Sequence, residues 1–442
     1  MIRGKRNKIN IITLGCAKNL VDSEVLMRQL DASGFDFVHD SDGFDARTVI
    51  INTCGFINDA KQESIDTILR YVNAKKNGHI DKIYVFGCLS QRYVSELIKE
   101  IPEVNGWFGV NDFQRIINEF GGKYREELYG ERILATPSHY AYLKISEGCD
   151  RLCSFCAIPL IRGKQRSRPL NDLITETRYL ATKGLKELIL IAQDLTAYGT
   201  DIYGKQALPE LLEELTGIDG IEWIRLHYAY PANFPLKVLK LMTAKKVICN
   251  YLDLPFQHIS DKVLTRMHRS INHSEILELI SQIRDTVPDI AIRTTLLVGH
   301  PGEGEKEFSE LIDFVETQQF ERLGVFTYSE ETGTFAATHY KDVIPKKVKD
   351  RRLKEIMEMQ MNISLNINNK KIGNTYTVLI DSREGEYAVG RTEYDSPDID
   401  NEVLVYDPDK ILEPGNFYRI RIKKAENYDL YGEIVGGVSG IL

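Results

Sequence analysis

Short apolar strands and amphipathic helices alternate along most of this chain, and this alternation constrains its fold more than any other feature. Between residues 141 and 328 the strand–helix pattern occurs six times. Strands joined through helices pair in parallel with right-handed crossovers, so six units predict an open, partial (β/α)6 barrel rather than a full eight-stranded one. The predicted strands are 141–147, 187–193, 222–228, 251–257, 291–298 and 322–328. The helical segments between them include 171–183, 207–216, 235–244, 274–286 and 304–317.

Two further α/β or β domains are predicted beside this central region. Residues 7–122 contain three β-branched strands separated by helices, which predicts a doubly wound parallel domain. From residue 371 the apolar residues recur with period two between Gly, Asp and Pro turns, which predicts a small antiparallel β-barrel over 371–440. The central domain then spans 135–370, and three domains suit a length of 442 residues. The three N-terminal strands are 9–16, 48–54 and 82–88.

The densest chemical signal is a group of three cysteines, Cys149, Cys153 and Cys156, in SEGCDRLCSFCAIP. We call this group the loop trio. Structural zinc sites use four ligands in separated pairs, and ferredoxin spacings supply four cysteines. Three close thiolates therefore suit a four-iron cluster whose remaining iron is open to a small molecule. The loop follows the first predicted barrel strand, at the end where barrels of this kind build their active sites.

Three more cysteines, Cys16, Cys54 and Cys88, each end a predicted strand of the first domain. We call them the strand-end trio. Carboxyl ends of parallel strands open on one crevice, and the helix N-termini that follow favour anionic thiolates. The trio can therefore hold a second cluster, and the alternative is three core cysteines without chemistry. The seventh cysteine, Cys249, stands alone and is predicted to be a buried structural thiol.

These segments resemble the radical S-adenosylmethionine methylthiotransferases. CDRLCSFC resembles the CxxxCxxC signature of radical S-adenosylmethionine enzymes, and the flanking CAIPLIRGKQRSRP is similar to the methylthiotransferase branch. The segments LGCAKNLVDSE, NTCGFINDAKQES and FGCLSQR carry the same resemblance, and the C-terminal region is similar to a TRAM domain. YLDLPFQHISDKVLTRMHR and RTTLLVGHPGE favour the branch that modifies a small-subunit ribosomal protein.

The resemblance implies two 4Fe-4S clusters and S-adenosylmethionine as cofactors. The loop trio matches the ligands of the cluster that generates a 5′-deoxyadenosyl radical. The strand-end trio matches the ligands of an auxiliary cluster, which holds the sulfur to be transferred. In the ribosomal branch, two S-adenosylmethionine molecules per turnover serve to methylate that sulfur and to abstract hydrogen from the β-carbon of an aspartate in ribosomal protein number twelve. An electron donor and a sulfur donor are the other implied partners.

Polar side chains near the ends of the barrel strands are candidates for binding the cofactor. We expect Gln193, Gln257 and Arg293 to contact S-adenosylmethionine, and the paired donors of an arginine suit its carboxylate. Packing or solvation is the alternative for each of them. A basic run after the loop trio is either solvated or contacts an acidic substrate or ribosomal RNA. The run consists of Arg162, Lys164, Arg166 and Arg168.

The alternative within this family is methylthiolation of an adenosine in transfer RNA. Residues 371–442 carry 8 Lys/Arg and 14 Asp/Glu, a net charge of −6 out of −8 for the whole chain. A barrel that grips RNA phosphates is expected to be basic, so this acidity favours a basic ribosomal protein as the partner.

Two alternatives lie outside the family: an iron–sulfur protein that only passes electrons, and a zinc-stabilised scaffold. Neither needs a cluster with an open iron at the mouth of a barrel. Seven cysteines in a long chain do not form the dense framework of a secreted disulfide protein. No run of about 18 apolar residues is present, so no membrane span is expected, and the cytoplasm is the predicted location.

Overall fold

The computed structural model describes residues 8–437. It confirms the predicted fold class: a parallel N-terminal sheet, a six-stranded parallel sheet and a closed C-terminal barrel. The predicted outer limits at residues 7 and 440 lie outside the described residues. No helix in the described part of the chain is both long enough and apolar enough to cross a membrane.

The N-terminal domain is a five-stranded parallel sheet with helices on both sides. Its elements are β1 (Ile9–Thr13), α1 (Ala17–Ala32), β2 (Phe37–His39), β3 (Thr48–Thr53), α2 (Asn58–Lys76), β4 (Lys82–Gly87), α3 (Cys88–Glu100), β5 (Gly106–Trp107) and α4 (Phe113–Glu119). The strand order is β2-β1-β3-β4-β5. The central strand β3 has the sequence TVIINT and is buried along its whole length, as its β-branched composition predicts. Strands β2 and β5 have only three and two residues, too few to show a periodic pattern.

The central domain contains six parallel strands in the order β13-β12-β11-β10-β9-β6, joined mainly by helices. Its strands are β6 (Tyr140–Lys144), β7 (Ser146–Glu147), β8 (Arg166–Ser167), β9 (Glu187–Ile191), β10 (Trp223–Leu226), β11 (Ile248–Asp253), β12 (Ala291–Val298) and β13 (Arg322–Thr327). Its helices are α5 (Ile158–Arg162), α6 (Leu170–Ala181), α7 (Leu208–Leu215), α8 (Lys237–Ala244), α9 (Asp261–Arg266), α10 (His273–Thr286), α11 (Glu305–Gln318), α12 (Phe335–His339) and α13 (Lys346–Asn369). Strands β7 and β8 form a separate antiparallel pair around the loop trio. Short 3-10 helices occupy Glu126–Leu128 and Leu195–Ala197.

The two faces of the six-stranded sheet are covered by different parts of the chain. One face packs against its own helices through residues such as Ile224, Leu226 and Ile292. The opposite face is covered by the other two domains. Helix α1 packs there against Tyr142 and Ile189, and the C-terminal barrel packs elsewhere on the same face. The sheet is therefore lined on its inner side by the domains that precede and follow it.

The C-terminal domain is a closed five-stranded barrel in the order β14-β15-β16-β18-β17. Its strands are β14 (Thr375–Glu384), β15 (Tyr387–Thr392), β16 (Glu402–Tyr406), β17 (Phe417–Ala425) and β18 (Asp429–Gly437). Four of its pairings are antiparallel, as predicted, but β16 and β18 pair in parallel. This one parallel pairing closes the barrel. Closure removes the two exposed edges that an open sheet would leave.

Buried ion pairs hold the barrel against the six-stranded sheet. Arg293 of β12 pairs with Asp400, and Arg322 of β13 pairs with Asp395. Both carboxylates are fully buried. The segment between β15 and β16 therefore places two of its acidic side chains, Asp395 and Asp400, in buried ion pairs. The net charge of −6 therefore overstates the acidity that the barrel presents to a partner, although its exposed side chains still include more acids than bases.

A second buried group, centred on Arg391, joins the same two domains. Arg391 lies 2.6 Å from both Glu187 and Asp381, and Glu187 also lies 2.7 Å from Arg225. Two carboxylates and two guanidinium groups are thereby removed from water together. Trp223, one of the chain's two tryptophans, stacks edge-on against Phe417 of the barrel beside this group, at 4.9 Å between ring centroids.

We predict that Arg391→Met lowers the free energy of unfolding by about 3–5 kcal/mol, because Glu187 and Asp381 then lose a buried partner. Urea unfolding followed by tryptophan fluorescence measures the change. Lys346→Met is the matched control, because Lys346 forms an exposed ion pair with Asp350 and its loss should change stability by less than about 0.5 kcal/mol. Equal effects of the two variants would contradict the prediction.

Candidate functional site between the two cysteine trios

The loop trio lies on a loop between β7 and α5 that backbone hydrogen bonds fix to the rest of the barrel. The Cys149 amide donates to the carbonyl of Gly163 at 3.1 Å. Ser154 is fully buried, and its amide donates to the Met267 carbonyl at 2.9 Å. The Ser154 carbonyl in turn accepts from the Ala336 amide at 2.7 Å. These hydrogen bonds therefore fix the loop that carries the three thiols at its start and in its middle.

Positive charge and aromatic surface surround the loop trio. Arg269 places Nη1 3.6 Å from the sulfur of Cys153, and the Arg151 amide lies 3.4 Å from the sulfur of Cys149. Both guanidinium groups lie 4.1 Å from the centroid of the Tyr230 ring. Burial raises the pKa of the Cys149 thiol to about 11 and that of Cys156 to about 12. Metal coordination overcomes such a shift, because a bound cation deprotonates its thiol ligands.

The strand-end trio converges at one edge of the N-terminal sheet, as the topology predicts. Cys16 caps the N-terminus of α1, Cys54 directly follows β3, and Cys88 is the first residue of α3. The chain passes very closely here, since a Cβ on Gly15 would lie 2.8 Å from Cβ of Cys54. Gly15 also has a φ of 93°, which favours glycine.

The three thiols of the strand-end trio differ in their electrostatic surroundings. Partial removal from water opposes ionisation of Cys16, but the charges of Lys18 and Arg162, together with hydrogen bonds from the Lys18 and Asn19 amides, lower the pKa of the thiol. Burial raises the pKa of Cys54, and it raises that of Cys88 to about 11. Ionisation is therefore favoured at Cys16 and opposed at the other two thiols of the trio.

The donor set of each trio fits a three-ligand cluster better than a single metal ion. All seven cysteines are free thiols. Within residues 8–437, no three Cys, His, Asp or Glu side chains come close enough to hold one ion. Within each trio, however, the thiols are near enough to shift one another's pKa. Such spacing suits a larger iron–sulfur group that is ligated by three thiolates.

Arg162 connects the two trios directly. It is the last residue of α5, which begins two residues after Cys156, and its side chain is buried. Nη2 lies 3.4 Å from the sulfur of Cys88 and 2.6 Å from Asn19. Nη1 lies 2.8 Å from Glu147, the residue just before the loop of the first trio. One guanidinium group therefore fixes the strand-end trio relative to the loop trio.

A second contact joins the N-terminal and central domains on the other side of the strand-end trio. Glu331, in the segment after β13, accepts from Arg92 at 2.6 Å and from Lys61 at 3.0 Å. Arg92 also donates to the carbonyl of Gly55, next to Cys54, at 3.3 Å. The position of Cys54 is thereby tied to the central domain as well.

The predicted cofactor-binding residues have different surroundings. Gln193 donates to Glu147 at 2.9 Å, and its Oε1 is buried without a hydrogen-bond partner, as a residue with a missing ligand would be. Gln257 follows β11 with a φ of 73°, a rare conformation for glutamine. Arg293 lies within β12, and its guanidinium binds Asp400 rather than facing the trios. Their roles stay predictions.

The basic run is not a surface patch, contrary to the sequence-based interpretation. Arg162 is buried in the contact between the N-terminal and central domains, which we call the seam, and Arg168 pairs with Glu176 at 2.7 Å. Only Lys164 and Arg166 are exposed. Cys249, by contrast, is buried as predicted, beside Trp223 and Tyr251.

Sequence reasoning missed the polar residues of α1 that face the seam. Lys18, Asn19 and Asp22 are all buried, although each lies within the quoted segment LGCAKNLVDSE. The Lys18 ammonium lies 3.6 Å from the centroid of the Tyr228 ring. Their proximity to Cys16 in the sequence could have identified them. Side chains at the start of a helix that follows a candidate ligand can lie beside the same crevice as that ligand.

Three family models match the chain in the same order as its domains. The uncharacterised protein family UPF0004 matches residues 8–109, the radical SAM superfamily matches 143–315, and the TRAM domain matches 372–435. The radical SAM match implies S-adenosylmethionine and a 4Fe-4S cluster.

Curated relatives match over nearly the full length. The ribosomal protein uS12 methylthiotransferase RimO of Cytophaga hutchinsonii is 54% identical, with 98% of each chain covered. The same enzyme of Bacteroides fragilis is 52% identical over 98% of this chain and 100% of its own. The chain belongs to the RimO family of radical S-adenosylmethionine methylthiotransferases. The enzyme of Flavobacterium psychrophilum, another RimO, is 53% identical over 97% of this chain and 98% of its own.

Solved structures extend the comparison to more distant folds. TsrM from Kitasatospora setae, a radical S-adenosylmethionine methyltransferase, superposes on this RimO-family chain with a TM-score of 0.55 and 13% identity, covering 86% of this chain and 79% of its own. The cobalamin-dependent radical enzyme OxsB gives a TM-score of 0.52 at 11% identity, covering 81% and 58%. At these identities the likeness concerns the fold alone.

The loop of this RimO-family chain depends on a close approach at Gly148. With a φ of 79°, a Cβ there would overlap the Lys164 carbonyl. We predict that Gly148→Ala displaces the loop and makes the loop trio react several-fold faster with iodoacetamide in the metal-free protein, with thiols located by peptide mass spectrometry. Gly78→Ala is the control, because Gly78 has a similar φ of 75° in open space. Unchanged labelling in Gly148→Ala would show that the loop absorbs the methyl group.

Proposed function

We propose that this chain methylthiolates the β-carbon of an aspartate in ribosomal protein uS12, using S-adenosylmethionine and two 4Fe-4S clusters. The observation that carries the proposal is the buried Arg162, which joins the two cysteine trios in one crevice. Two clusters held in one crevice can act on the same substrate carbon. The names and full-length identities of the relatives support uS12 as the substrate.

The two cysteine trios have different roles in the proposed reaction. In the proposal, the loop trio binds the cluster with the open iron, and the strand-end trio binds the auxiliary cluster. When bound, the clusters and S-adenosylmethionine supply a radical that abstracts hydrogen and a sulfur that is methylated and transferred. Arg269 and Arg162 compensate the negative charge of the thiolates in the two trios.

Gln193 is the strongest candidate among the proposed cofactor contacts, because its Oε1 is buried and lacks a partner. An amide oxygen can accept from the amino group or the ribose hydroxyls of S-adenosylmethionine. Gln257 lies beyond the end of β11, two strands away from β9 in the sheet, in a strained backbone conformation of a kind that clusters at active sites. Arg293 would have to exchange Asp400 for the cofactor carboxylate, so its contribution is the least direct.

The proposal also implies partners and a location. One-electron chemistry requires an electron donor, and each turnover consumes a sulfur that a donor must replace. A ribosomal protein substrate implies activity in the cytoplasm. Transfer RNA as the substrate has weaker support, because the exposed surface of the barrel is more acidic than basic.

Iron content tests the ligand assignment. We expect about eight irons per chain in anaerobically reconstituted protein, and about four in Cys153→Ala and in Cys54→Ala, since each variant removes a ligand of one cluster. Cys249→Ala is the control and should keep about eight, because its thiol is buried in the interface with the barrel. Stoichiometric zinc, or iron loss from Cys249→Ala alone, would overturn the assignment.

A paired assay tests the substrate. Reconstituted protein with S-adenosylmethionine and a strong reductant is offered uS12 and, separately, unmodified transfer RNA. We expect a methylthio mass gain on one uS12 aspartate and none on adenosine. Cys54→Ala should still release 5′-deoxyadenosine but transfer no sulfur. A gain on adenosine alone would keep the clusters and reject uS12, and sulfur transfer by Cys54→Ala would reject the strand-end assignment.

A further inference from the structure

We propose that Lys18 binds the carboxylate of the substrate aspartate and so selects an acidic side chain for methylthiolation. The inference deepens the function proposed above and rests on it. It assigns a substrate-binding and specificity role to a residue that belongs to neither cysteine trio.

The ammonium group of Lys18 is buried without an acceptor. The residue is only 8% exposed. Among residues 8–437, no oxygen lies within hydrogen-bonding or ion-pairing distance of its Nζ, which lies 3.6 Å from the centroid of the Tyr228 ring. A buried ammonium normally pairs with a carboxylate, because removing an isolated charge from water is costly. Lys18 therefore has three donors available for a ligand.

The other charges of the seam are already satisfied, which sets Lys18 apart. Lys144, a lysine of the same seam, binds Glu147 at 2.7 Å and also contacts Asp22. Arg162 binds the same two carboxylates. These acids are thus committed to other cations, and within residues 8–437 Lys18 forms no ion pair with a carboxylate.

Tyr228 is held in place to present its ring to Lys18. It directly follows His227 at the end of β10 and has a φ of 64°, which is strained for a bulky residue. Its amide donates to Asp253 at 3.2 Å, and its carbonyl accepts from Leu195 at 3.1 Å. The ring positions the ammonium through its π face, and this leaves the N–H donors unused by oxygen acceptors.

The location matches the place where the reacting carbon must lie. Lys18 is two residues from Cys16 on the first turn of α1, and Tyr228 belongs to the central domain. The pair therefore bridges the domain of the strand-end trio and the barrel that carries the loop trio. The β-carbon of aspartate is bonded directly to its carboxylate carbon, so a cation that anchors the carboxylate also places the β-carbon.

The same feature discriminates between the two substrates of the family. A carboxylate satisfies the buried charge, whereas the edge of an adenine presents neutral groups and would leave the ammonium uncompensated. An unpaired buried charge disfavours the wrong ligand strongly, which is how sites reject close analogues.

Binding and transfer together test this role. The cluster-loaded protein without reductant is titrated with uS12 and with uS12 whose target aspartate is replaced by asparagine. We expect wild type to bind the aspartate form roughly 10- to 100-fold more tightly, the range for a hydrogen-bonded charge. Lys18→Met should bind both forms equally, and Lys18→Arg should restore part of the preference.

Two controls separate this role from a structural one. Lys183→Met removes a lysine that lies over Tyr179 on the exposed side of the barrel, and it should bind as wild type does. Lys18→Arg keeps a positive charge beside Cys16 and should keep the wild-type iron content, while in Lys18→Met sulfur transfer per radical formed should fall at least tenfold. If Lys18→Met fails to load iron, the comparison of aspartate and asparagine forms on wild type and Lys18→Arg decides the matter.

The outcomes distinguish this inference from the function on which it rests. If wild type transfers no sulfur to uS12, the proposed function fails and the role of Lys18 falls with it. If wild type modifies uS12 but binds the asparagine form equally well, only the role of Lys18 is rejected. The same holds if Lys18→Met keeps the wild-type preference.

Discussion

Charges that are buried must be paired, and this requirement fixes how the three domains of the chain sit on one another. The inner face of the six-stranded sheet carries arginines in mid-strand, Arg225 and Arg293 among them, where an isolated guanidinium would be very unfavourable. The C-terminal barrel supplies Asp400 to Arg293, whereas Arg225 pairs with Glu187 of the sheet itself and donates to the Glu393 carbonyl of the barrel. On the N-terminal side, Arg162 plays the corresponding part between the two trios. Separating the central domain from either of its neighbours would expose unpaired charges.

Sequence patterns predicted the elements whose signal is long and local. The six barrel strands and the convergence of Cys16, Cys54 and Cys88 follow from periodicity and from the geometry of parallel sheets. The two-residue strand β5 carries too little pattern to be predicted, and the parallel pairing of β16 with β18 depends on barrel closure, which no local segment encodes.

The errors at the site share one physical cause. A charged residue is normally solvated, so a sequence pattern cannot show that Arg162 is buried or that the polar residues of α1 face another domain. Arg293 was placed correctly on its strand, but its partner Asp400 lies 107 positions away in the chain. Motif spacing therefore indicated the candidate metal-binding thiols, whereas the contacts that orient them arise only when the domains assemble.

The inner lining of the six-stranded sheet has a consequence for exchanging parts between relatives. Because Phe417 and Leu379 of the barrel pack on Trp223, Cys249 and Tyr251, the barrel completes the hydrophobic core of its neighbour. A chimera that carries the barrel of a relative with different substrate must inherit carboxylates in register with the arginines of this sheet. The barrel is therefore exchanged with less loss of stability as part of a whole chain than as a single domain.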